Sequence, residues 1–541
     1  MPVRAGLLVT VLMLCLVAAC APDALYQYDR EAYAQAVDRA ERAEDEPVES
    51  PTPIEPEPPL HVALPAAGEP LALSLEQAVM LALSRNRELA VQQYQPLIAG
   101  EFEALERALY DPFIDAELAY TRERAERVNP ALPGTTFESV EEGVTFDAGL
   151  RQRLLTGTEV GLELGHFTRV TDRTPRQHGT RVGVGVTQAL LQGRSRLGNL
   201  AGIEQARLDA EISQYELRGF AEALVAQVEQ TYWDHALAQR EIEIFEASLA
   251  VARQQAQQTQ QRIEVGLVPE TELYAARAEV ALRREELIDA RSRRDQTRLR
   301  LLRLLGVGRE AGWATPIELA DEPTVPEVVV DEVEAHAALA RQWRADLNEA
   351  RLRLARDRLD VVETREGLLP RLDLFLTLGK TGYADAFGDT FHEMDGPGYD
   401  VTVGLRFEQA LGRRGERAAY RQARFARSQA REAVANATEL VELDVRQALV
   451  ELERAGEQID ATQATRELFE QTLRAERERF EVGTSTALLV AQAQRDLLES
   501  QIAEVRAVVA FRQAVVDLYR LEGSLLHRRG IVAPGDEPVG L

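Results

Sequence analysis

The sequence predicts an α+β membrane protein in which a long antiparallel helical coiled coil carries a β-barrel shared between chains. Three observations predict this fold class: a tandem duplication, two long proline-free helical stretches, and short segments of alternating apolar and polar residues. The duplication is visible at two similar turns, "RIEVGLVPETEL" at Gly266 and "RFEVGTSTALL" at Gly483. One such turn is an ordinary αα-hairpin, whereas two turns in matching surroundings indicate a repeat.

Further anchors support the duplication. Glu88-Leu89 corresponds to Asp346-Leu347, Pro112 to Pro370, and Gln188-Ala189-Leu190 to Gln409-Ala410-Leu411. The spacing of these anchors gives the first copy about 37 extra residues between Asp115 and Gln188. We therefore predict a first repeat at 73–325, a second repeat at 326–526 and a C-terminal tail at 527–541.

The N-terminus has the features of an exported protein. Arg4 precedes an apolar stretch that ends at Leu16, which is too short to span a membrane and is typical of a signal peptide, here 1–19. "VAAC" then resembles a bacterial lipoprotein cleavage box, with Cys20 as the lipidated residue and Ala21 favouring the outer membrane. The alternative is a plain signal peptide that is cleaved nearby. An acidic, proline-rich stretch follows, so 20–72 is expected to be a lipidated linker.

Composition argues against several function classes. The net charge of −27 disfavours nucleic acid as a partner. Both cysteines, Cys15 and Cys20, lie in the first twenty residues, which leaves no disulfide or thiolate chemistry for the body. The seven histidines are scattered and no catalytic motif is present, so we expect no enzyme activity, no metal site and no cofactor.

The helical stretches are predicted from periodicity. In the second copy Val441, Val445, Ala448, Leu452, Ala455, Ile459 and Thr462 recur every three or four residues, as in the seam of a left-handed coiled coil. We expect long helices at 200–265 and 420–482. Shorter helices are expected at 74–109, 270–305, 331–366 and 487–525. Pairs of the short helices, stacked end to end, would match one long helix in length.

Period-two alternation predicts the strands. The second copy has one such pair at 372–378 and 401–407, and the first copy has the equivalent at 114–120 and 182–186. The extra residues of the first copy contain another pair, at 144–150 and 160–164. Four or six strands are too few to close a barrel around a channel, and open sheet edges are not tolerated in lipid. Several chains must therefore share one barrel.

These helical and strand segments occur twice in the same order. Residues 72–526 therefore resemble the TolC-like outer membrane factor family. The matching segments are "LSLEQAVMLALSRNREL", "VGVTQALLQGRSRLGNLAGIEQA", "VGLRFEQALGRRGERAAYRQA" and the turns "VGLVPETEL" and "VGTSTALL". The resemblance implies a homotrimer that shares a β-barrel in outer-membrane lipid and has an α-helical periplasmic tunnel. It also implies an exit channel for tripartite efflux or type I secretion, passively conducting substrates from a periplasmic adaptor and an inner-membrane pump or ABC exporter.

The resemblance also assigns site residues. The adaptor-docking tips would be Val265, Gly266, Leu267, Val482, Gly483 and Thr484, and the periplasmic gate would contain Thr271, Glu272, Phe480 and Ser485. Phe480 and Ser485 depart from the tyrosine and arginine of the family's closed gate. Leu489 and Gln492 stand where some members carry a ring of acids. A weaker gate, dominated electrostatically by Glu272, is expected.

A second interpretation is a structural coiled-coil lipoprotein of the envelope without a pore. The paired alternating strands discriminate between a channel and a structural rod, because a helical rod does not require a sheet with one polar face. The residues leave open the substrate, the choice between efflux and protein secretion, and the position of the extra hairpin at about 144–165.

Overall fold

A computed structural model describes residues 69–539 apart from 129–133, 172–174, 267, 309–311 and 329. These residues belong to a compact unit at Val62–Leu541. The predicted signal peptide, Cys20 and nearly all of the linker lie outside the described residues.

The described elements fall into two similar series. The first is β1 (Leu71–Leu73), α1 (Leu75–Arg85), α2 (Arg87–Ala108), β2 (Phe113–Val128), β3 (Thr136–Arg153), β4 (Thr158–Thr171), β5 (Gln177–Ala189), α3 (Arg196–Glu264) and α4 (Thr271–Leu304). The second is β6 (Ile317–Leu319), α5 (Val333–Trp343), α6 (Ala345–Glu366), β7 (Arg371–Ala384), α7 (Asp389–His392), β8 (Tyr399–Glu408), α8 (Arg414–Glu481) and α9 (Ala487–Leu521), followed by α10 (Leu525–Arg528).

Each of the two predicted opening helices is broken in two, which corrects the sequence prediction. The breaks fall at Asn86 and Arg344, both with extended backbone. The side chain of Asn86 accepts hydrogen bonds from the backbone of Glu88 and Leu89, and it donates to the carbonyl of Leu304. Asn86 is therefore an N-cap that starts a second helix and ties it to the end of α4.

The helices form one layer, and the order in which they lie side by side differs between its two ends. On the side of the sheet, α2 packs on α3, α3 on α6, and α6 on α8. On the side of the two helical turns, α4 packs on α3, α3 on α9, and α9 on α8. Both α3 and α8 are about 100 Å long at ~1.5 Å per residue, so each spans both groups of half-length helices. This is the predicted stacking.

The predicted coiled-coil seam of α8 is largely buried. Val441 and Val445 pack with Leu347 of α6, while Leu452 and Ala455 pack with residues of α9. The largest apolar cluster lies where the half-length helices meet and contains Trp233, Tyr232 and Leu301. It includes a short parallel pairing of β1 with β6, which the sequence analysis did not predict.

The six long strands form one antiparallel sheet in the order β2-β3-β4-β5-β7-β8. Its register aligns apolar residues in a row across all six strands, namely Ile114, Leu150, Leu162, Val184, Leu378 and Val401. The adjacent row, on the opposite face, contains Asp115, Gly149, Glu163, Gly183, Gly379 and Asp400. The sheet therefore has one apolar and one polar face.

The apolar band has a limited height. On β2 it runs from Ile114 to Tyr120, about 20 Å at ~3.4 Å per residue, and is followed by Arg122, which pairs with Glu142 on β3 at 3.2 Å. None of the helices in the described part of the chain is long and apolar enough to cross a membrane.

Candidate functional site

Two helical turns lie at the end of the helical layer away from the sheet. We call the turn between α3 and α4 (residues 265–270) the first tip and the turn between α8 and α9 (residues 482–486) the second tip. Gly266 and Gly483 have φ values of +76° and +79°. Their N–H groups donate to Ile263 O (2.9 Å) and Phe480 O (3.1 Å), respectively. Both glycines therefore end a long helix in the left-handed conformation that favours glycine.

Two valines of the tips are exposed. The exposed fraction is 69% for Val265 and 75% for Val482, and both directly precede the turn glycines. Thr484 closes the second tip, because its N–H donates to Arg479 O at 2.8 Å and its hydroxyl donates to the same oxygen at 3.1 Å. Leu267, the remaining predicted tip residue, lies outside the described residues.

A contact between the ends of α3 and α8 involves the predicted gate residue Phe480. The guanidinium carbon of Arg262 lies 4.9 Å from the centroid of the Phe480 ring. The ring also packs against a small apolar cluster formed by Leu473, Val490 and Ala493. Phe480 thus joins the end of α3 to the apolar cluster of the second hairpin, and its partner Arg262 was not among the predicted gate residues.

The other predicted gate residues lie in the second tip and at the start of α4. Ser485 donates a hydrogen bond to Glu476 Oε2 at 2.7 Å, and this bond helps to hold the pKa of Glu476 below its usual value. Thr271 is the first residue of α4, and Glu272 follows it in the first turn. Within the described residues, no hydrogen bond or ion pair joins Glu272 to Phe480 or Ser485.

A buried ionic network that sequence reasoning missed lies further along the hairpins. Arg283 of α4 is only 3% exposed, and it donates to Glu279 (2.6 Å) and Glu286 (2.8 Å). Glu279 also accepts from Arg495 of α9 at 3.2 Å. The spacing of the three α4 residues could have predicted their pairing. Arg495 comes from the other repeat, so only the fold reveals that the network links α4 with α9.

A second buried ion pair lies where the half-length helices meet. Arg218 of α3 is 1% exposed and donates to Asp536 Oδ1 at 2.7 Å, with the Glu222 carboxylate 3.4 Å away. Burial of Glu222 raises the pKa of its carboxyl group to about 7, despite the opposing effect of Arg218. Since Asp536 belongs to the C-terminal segment, this pair fixes that segment to α3.

The polar face of the sheet carries paired charges. Arg181 on β5 donates to Asp400 on β8 at 2.8 Å and lies 3.4 Å from Glu163 on β4. Gly183 and Gly379 flank this arginine, and a Cβ at either position would approach its guanidinium closely. Glycine at these positions therefore leaves room for a long cation on the face. Such a face suits contact with water rather than lipid.

Two surfaces have no partner within the part of the chain that the structure describes. In the described sheet β2 and β8 are edge strands, each paired on one side. Helix α2 exposes apolar residues three or four positions apart, namely Val91, Tyr94, Ile98, Phe102 and Leu105. Among the described residues no group of three or more His, Cys, Asp or Glu side chains could hold a metal ion.

Comparison with known proteins gives the family. The model of the outer membrane efflux protein family matches residues 78–307 and 337–524, once for each repeat and over more than half of the chain. The chain belongs to the outer membrane efflux protein family.

One curated relative is a protein of alkaline protease secretion. The alkaline protease secretion protein AprF of Pseudomonas aeruginosa is 28% identical over 206 residues, which are 38% of this chain. The match spans 41% of AprF, well under two thirds of that relative.

Solved structures of outer-membrane channels share the fold. The channel OprN superposes with a TM-score of 0.63 and 20% identity, covering 83% of this chain and 90% of OprN. CmeC of Campylobacter jejuni gives a TM-score of 0.60 and 16% identity, covering 83% of this chain and 86% of CmeC. Long helices, a sheet and a tandem repeat are thus features of this family member.

Proposed function

We propose that this efflux-family protein is the outer-membrane exit channel of a tripartite efflux or type I secretion system. It passively conducts substrates that a periplasmic adaptor and an inner-membrane pump or ABC exporter deliver. The observation that carries this proposal is the six-stranded sheet, with an aligned apolar row on one face and paired charges on the other. A barrel wall between lipid and a water-filled lumen needs that arrangement.

The same sheet argues that several chains build the barrel. Edges β2 and β8 carry unpaired backbone groups, which lipid would leave without partners. Pairing β2 of one chain with β8 of the next satisfies both edges and closes a ring. We take three chains from the family resemblance, with α2 of one chain against α8 of the next. The exposed apolar residues of α2 are spaced to pack against another helix.

The helical layer would then form a tunnel in the periplasm with the tips at its entrance. Val265, Val482 and the adjoining Leu267 and Thr484 would dock the adaptor, while Gly266 and Gly483 shape the turns. Thr271, Glu272, Phe480 and Ser485 would form the gate, with Arg262 as an additional member. Lipid at Cys20 would add an anchor to the barrel.

A non-pore structural lipoprotein is the competing function. It accounts for the helices, but it does not account for a sheet that is apolar on one face and charged on the other. It also does not account for the match to a channel family over both repeats. The exit channel is therefore the better supported function.

Crosslinking in membranes tests the shared assembly. Ile98 on α2 and Phe425 on α8 are exposed and lie at similar distances, about 16 Å of helix (~1.5 Å per residue), from the sheet ends of their helices. The double variant Ile98→Cys/Phe425→Cys, treated with a short bis-maleimide, should give dimers and trimers. The two single-cysteine variants are matched controls that should run as monomers on a denaturing gel. A double variant that also runs as a monomer would contradict the ring.

A further inference from the structure

The hairpin β3–β4 lies inside the sheet, between β2 and β5. Its strands pair over long stretches on both sides: β2 with β3 from Phe113↔Arg151 to Val128↔Thr136, and β4 with β5 from Thr158↔Gln188 to Arg169↔Gln177. The second repeat has a single hairpin at the corresponding place. The first repeat therefore places two additional strands inside the sheet.

The two additional strands have the same two faces as the others. Val144, Phe146 and Leu162 lie in the apolar rows, opposite apolar residues of β2 and β5. Asp147 and Glu163 lie in the polar rows. Ion pairs on the polar face tie the hairpin to its neighbours, with Arg151 3.2 Å from Asp115 on β2. A hairpin outside a barrel wall would not need this division of faces.

The turn of the hairpin reaches the end of the sheet that meets the helices. The side-chain amide of Asn199, near the start of α3, donates to Leu155 O at 2.9 Å and to Gly193 O at 2.8 Å. Ala189 N–H donates to Gly157 O at 3.0 Å, which joins the turn to the end of β5. Both additional strands thus extend over the whole apolar band.

We propose that each chain contributes six membrane-spanning strands, so that three chains close an eighteen-stranded barrel. This inference rests on the proposed function. With ~4.8 Å between strands and a tilt of ~40°, such a barrel is about 36 Å across between backbones, against about 24 Å for twelve strands. Three chains with four helices each at any level give a helical ring of about 30–38 Å at 8–10 Å between helix axes. The wider barrel matches that ring.

The width of the barrel lumen limits the size of the substrate that can pass. After about 5 Å of side chain on each wall, the lumen is about 25 Å wide, whereas twelve strands would leave about 14 Å. Two packed helices need about 20 Å. The barrel of this protein therefore admits a polypeptide that keeps helical structure, in addition to small solutes.

Cysteine scanning tests the wall position of the hairpin. Because the sequence has cysteines only at Cys15 and Cys20, the unmodified chain gives the background. Single cysteines at Phe146 and Asp147 on β3 are compared with single cysteines at Val403 and Thr402 on β8. Val403 lies on the apolar face and Thr402 on the polar face of β8, a strand that has an equivalent in the first repeat. Each cysteine carries a spin label, and its collisions with lipid-soluble oxygen and a water-soluble nickel chelate are measured in vesicles.

We expect alternation on both strands. Labels at Phe146 and Val403 should collide with the nickel chelate severalfold less than labels at Asp147 and Thr402. Alternation on β8 with uniform nickel accessibility on β3 would overturn the six-strand wall while leaving the channel in place. Uniform nickel accessibility on β8 as well would overturn both the barrel and the inference. If Phe146→Cys fails to insert, Val144→Cys on the same face replaces it.

Polymer exclusion tests the width itself. Neutral polyethylene glycols added on the extracellular side enter the barrel without passing the tips. We expect polymers of about 20 Å diameter to lower the single-channel conductance, because they fit a lumen of the estimated size. A cut-off near 14 Å would show a twelve-stranded lumen and overturn the inference.

Discussion

The guanidinium of Arg262 stacks on the ring of Phe480, with 4.9 Å between the guanidinium carbon and the ring centroid. The two residues belong to different repeats, so this contact couples the two hairpins where they end. A network that closes the gate would need such a link between α3 and α8. Cation–π contacts at exposed sites contribute about 0.5–1 kcal/mol.

The first prediction concerns this contact. Phe480→Leu keeps an apolar side chain against Leu473 and Val490 but removes the aromatic face. We expect the open fraction in bilayer recordings to rise about 2–5-fold, the equivalent of about 0.5–1 kcal/mol. Phe480→Tyr keeps the face and should behave like the native protein. An unchanged open fraction in Phe480→Leu would exclude the contact from gating.

The second prediction concerns docking at the tips. Val482→Asp places a charge on an exposed apolar residue, so trimer yield should be unchanged while export is lost. Leu267→Asp is expected to act in the same way. Gly483→Ala is the control for turn shape: its Cβ would meet no atom within 4 Å, so it should cost only about 1–2 kcal/mol of backbone strain. Normal export by a well-expressed Val482→Asp variant would count against docking.

The third prediction concerns charge at the gate. Three-fold symmetry would bring three copies of Glu272 around the axis, where they attract cations and repel anions. Glu272→Gln should therefore lower cation selectivity and weaken block by divalent cations added on the periplasmic side. Glu270→Gln, just before the helix, serves as the nearby control. Unchanged reversal potentials and unchanged block would leave Glu272 with a helix-terminal role only.

The fourth prediction concerns pH. The pKa of Glu222 is about 7 in the folded chain, against a usual value of 4.5. At pH values between 4.5 and about 7, the folded state holds a proton on Glu222 that the unfolded state has lost. The contribution of Glu222 to the free energy of unfolding is therefore present at low pH and declines as the pH rises towards 7. The full change is about 3 kcal/mol per chain.

The measurement is thermal unfolding of native protein and Glu222→Gln at a series of pH values. The difference between the two curves should grow from pH 5 to pH 7, with the variant more stable at pH 7. The two curves are subtracted because burial of His235 lowers its pKa to about 4. This histidine makes the stability of both proteins rise with pH over an overlapping pH range, opposite to the effect of Glu222. Parallel curves would refute a protonated, buried Glu222.

The fifth prediction concerns Cys20. Cys20→Ser should abolish acyl labelling and lipoprotein-specific processing, while insertion of the barrel continues because the strands carry most of the membrane affinity. Membrane fractions of cells labelled with a fatty-acid analogue provide the readout. Acylation that persists in the variant would place the lipid elsewhere.

Periodicity predicted the elements of this fold well because the long helices bury an apolar stripe and each strand carries its apolar residues on one face. The seam from Val441 to Thr462 is a record of that burial, whereas the apolar residues from Val401 to Phe407 share one face of the sheet and are exposed in the single chain. The break at Asn86 was missed although the residue is a favoured N-cap, because the apolar pattern continues across it. Three-residue strands such as β1 leave too short a pattern to detect.

The candidate site was less predictable than the fold. The turn glycines could be found because a left-handed backbone restricts the residue type, and both have positive φ. The contacts between the two hairpins could not be found, since Arg262–Phe480 and Glu279–Arg495 join residues of different repeats. Such pairs depend on how the hairpins pack, which no local pattern encodes.

Single-channel recording tests the proposed channel most directly. Purified protein added to a planar lipid bilayer should produce stepwise, reproducible current increments, because the polar face of the sheet would line a continuous water-filled path. The Phe480→Leu variant should produce steps of similar size that stay open longer. Protein that inserts, forms trimers by crosslinking and yet passes no current would contradict the exit channel and favour a structural lipoprotein.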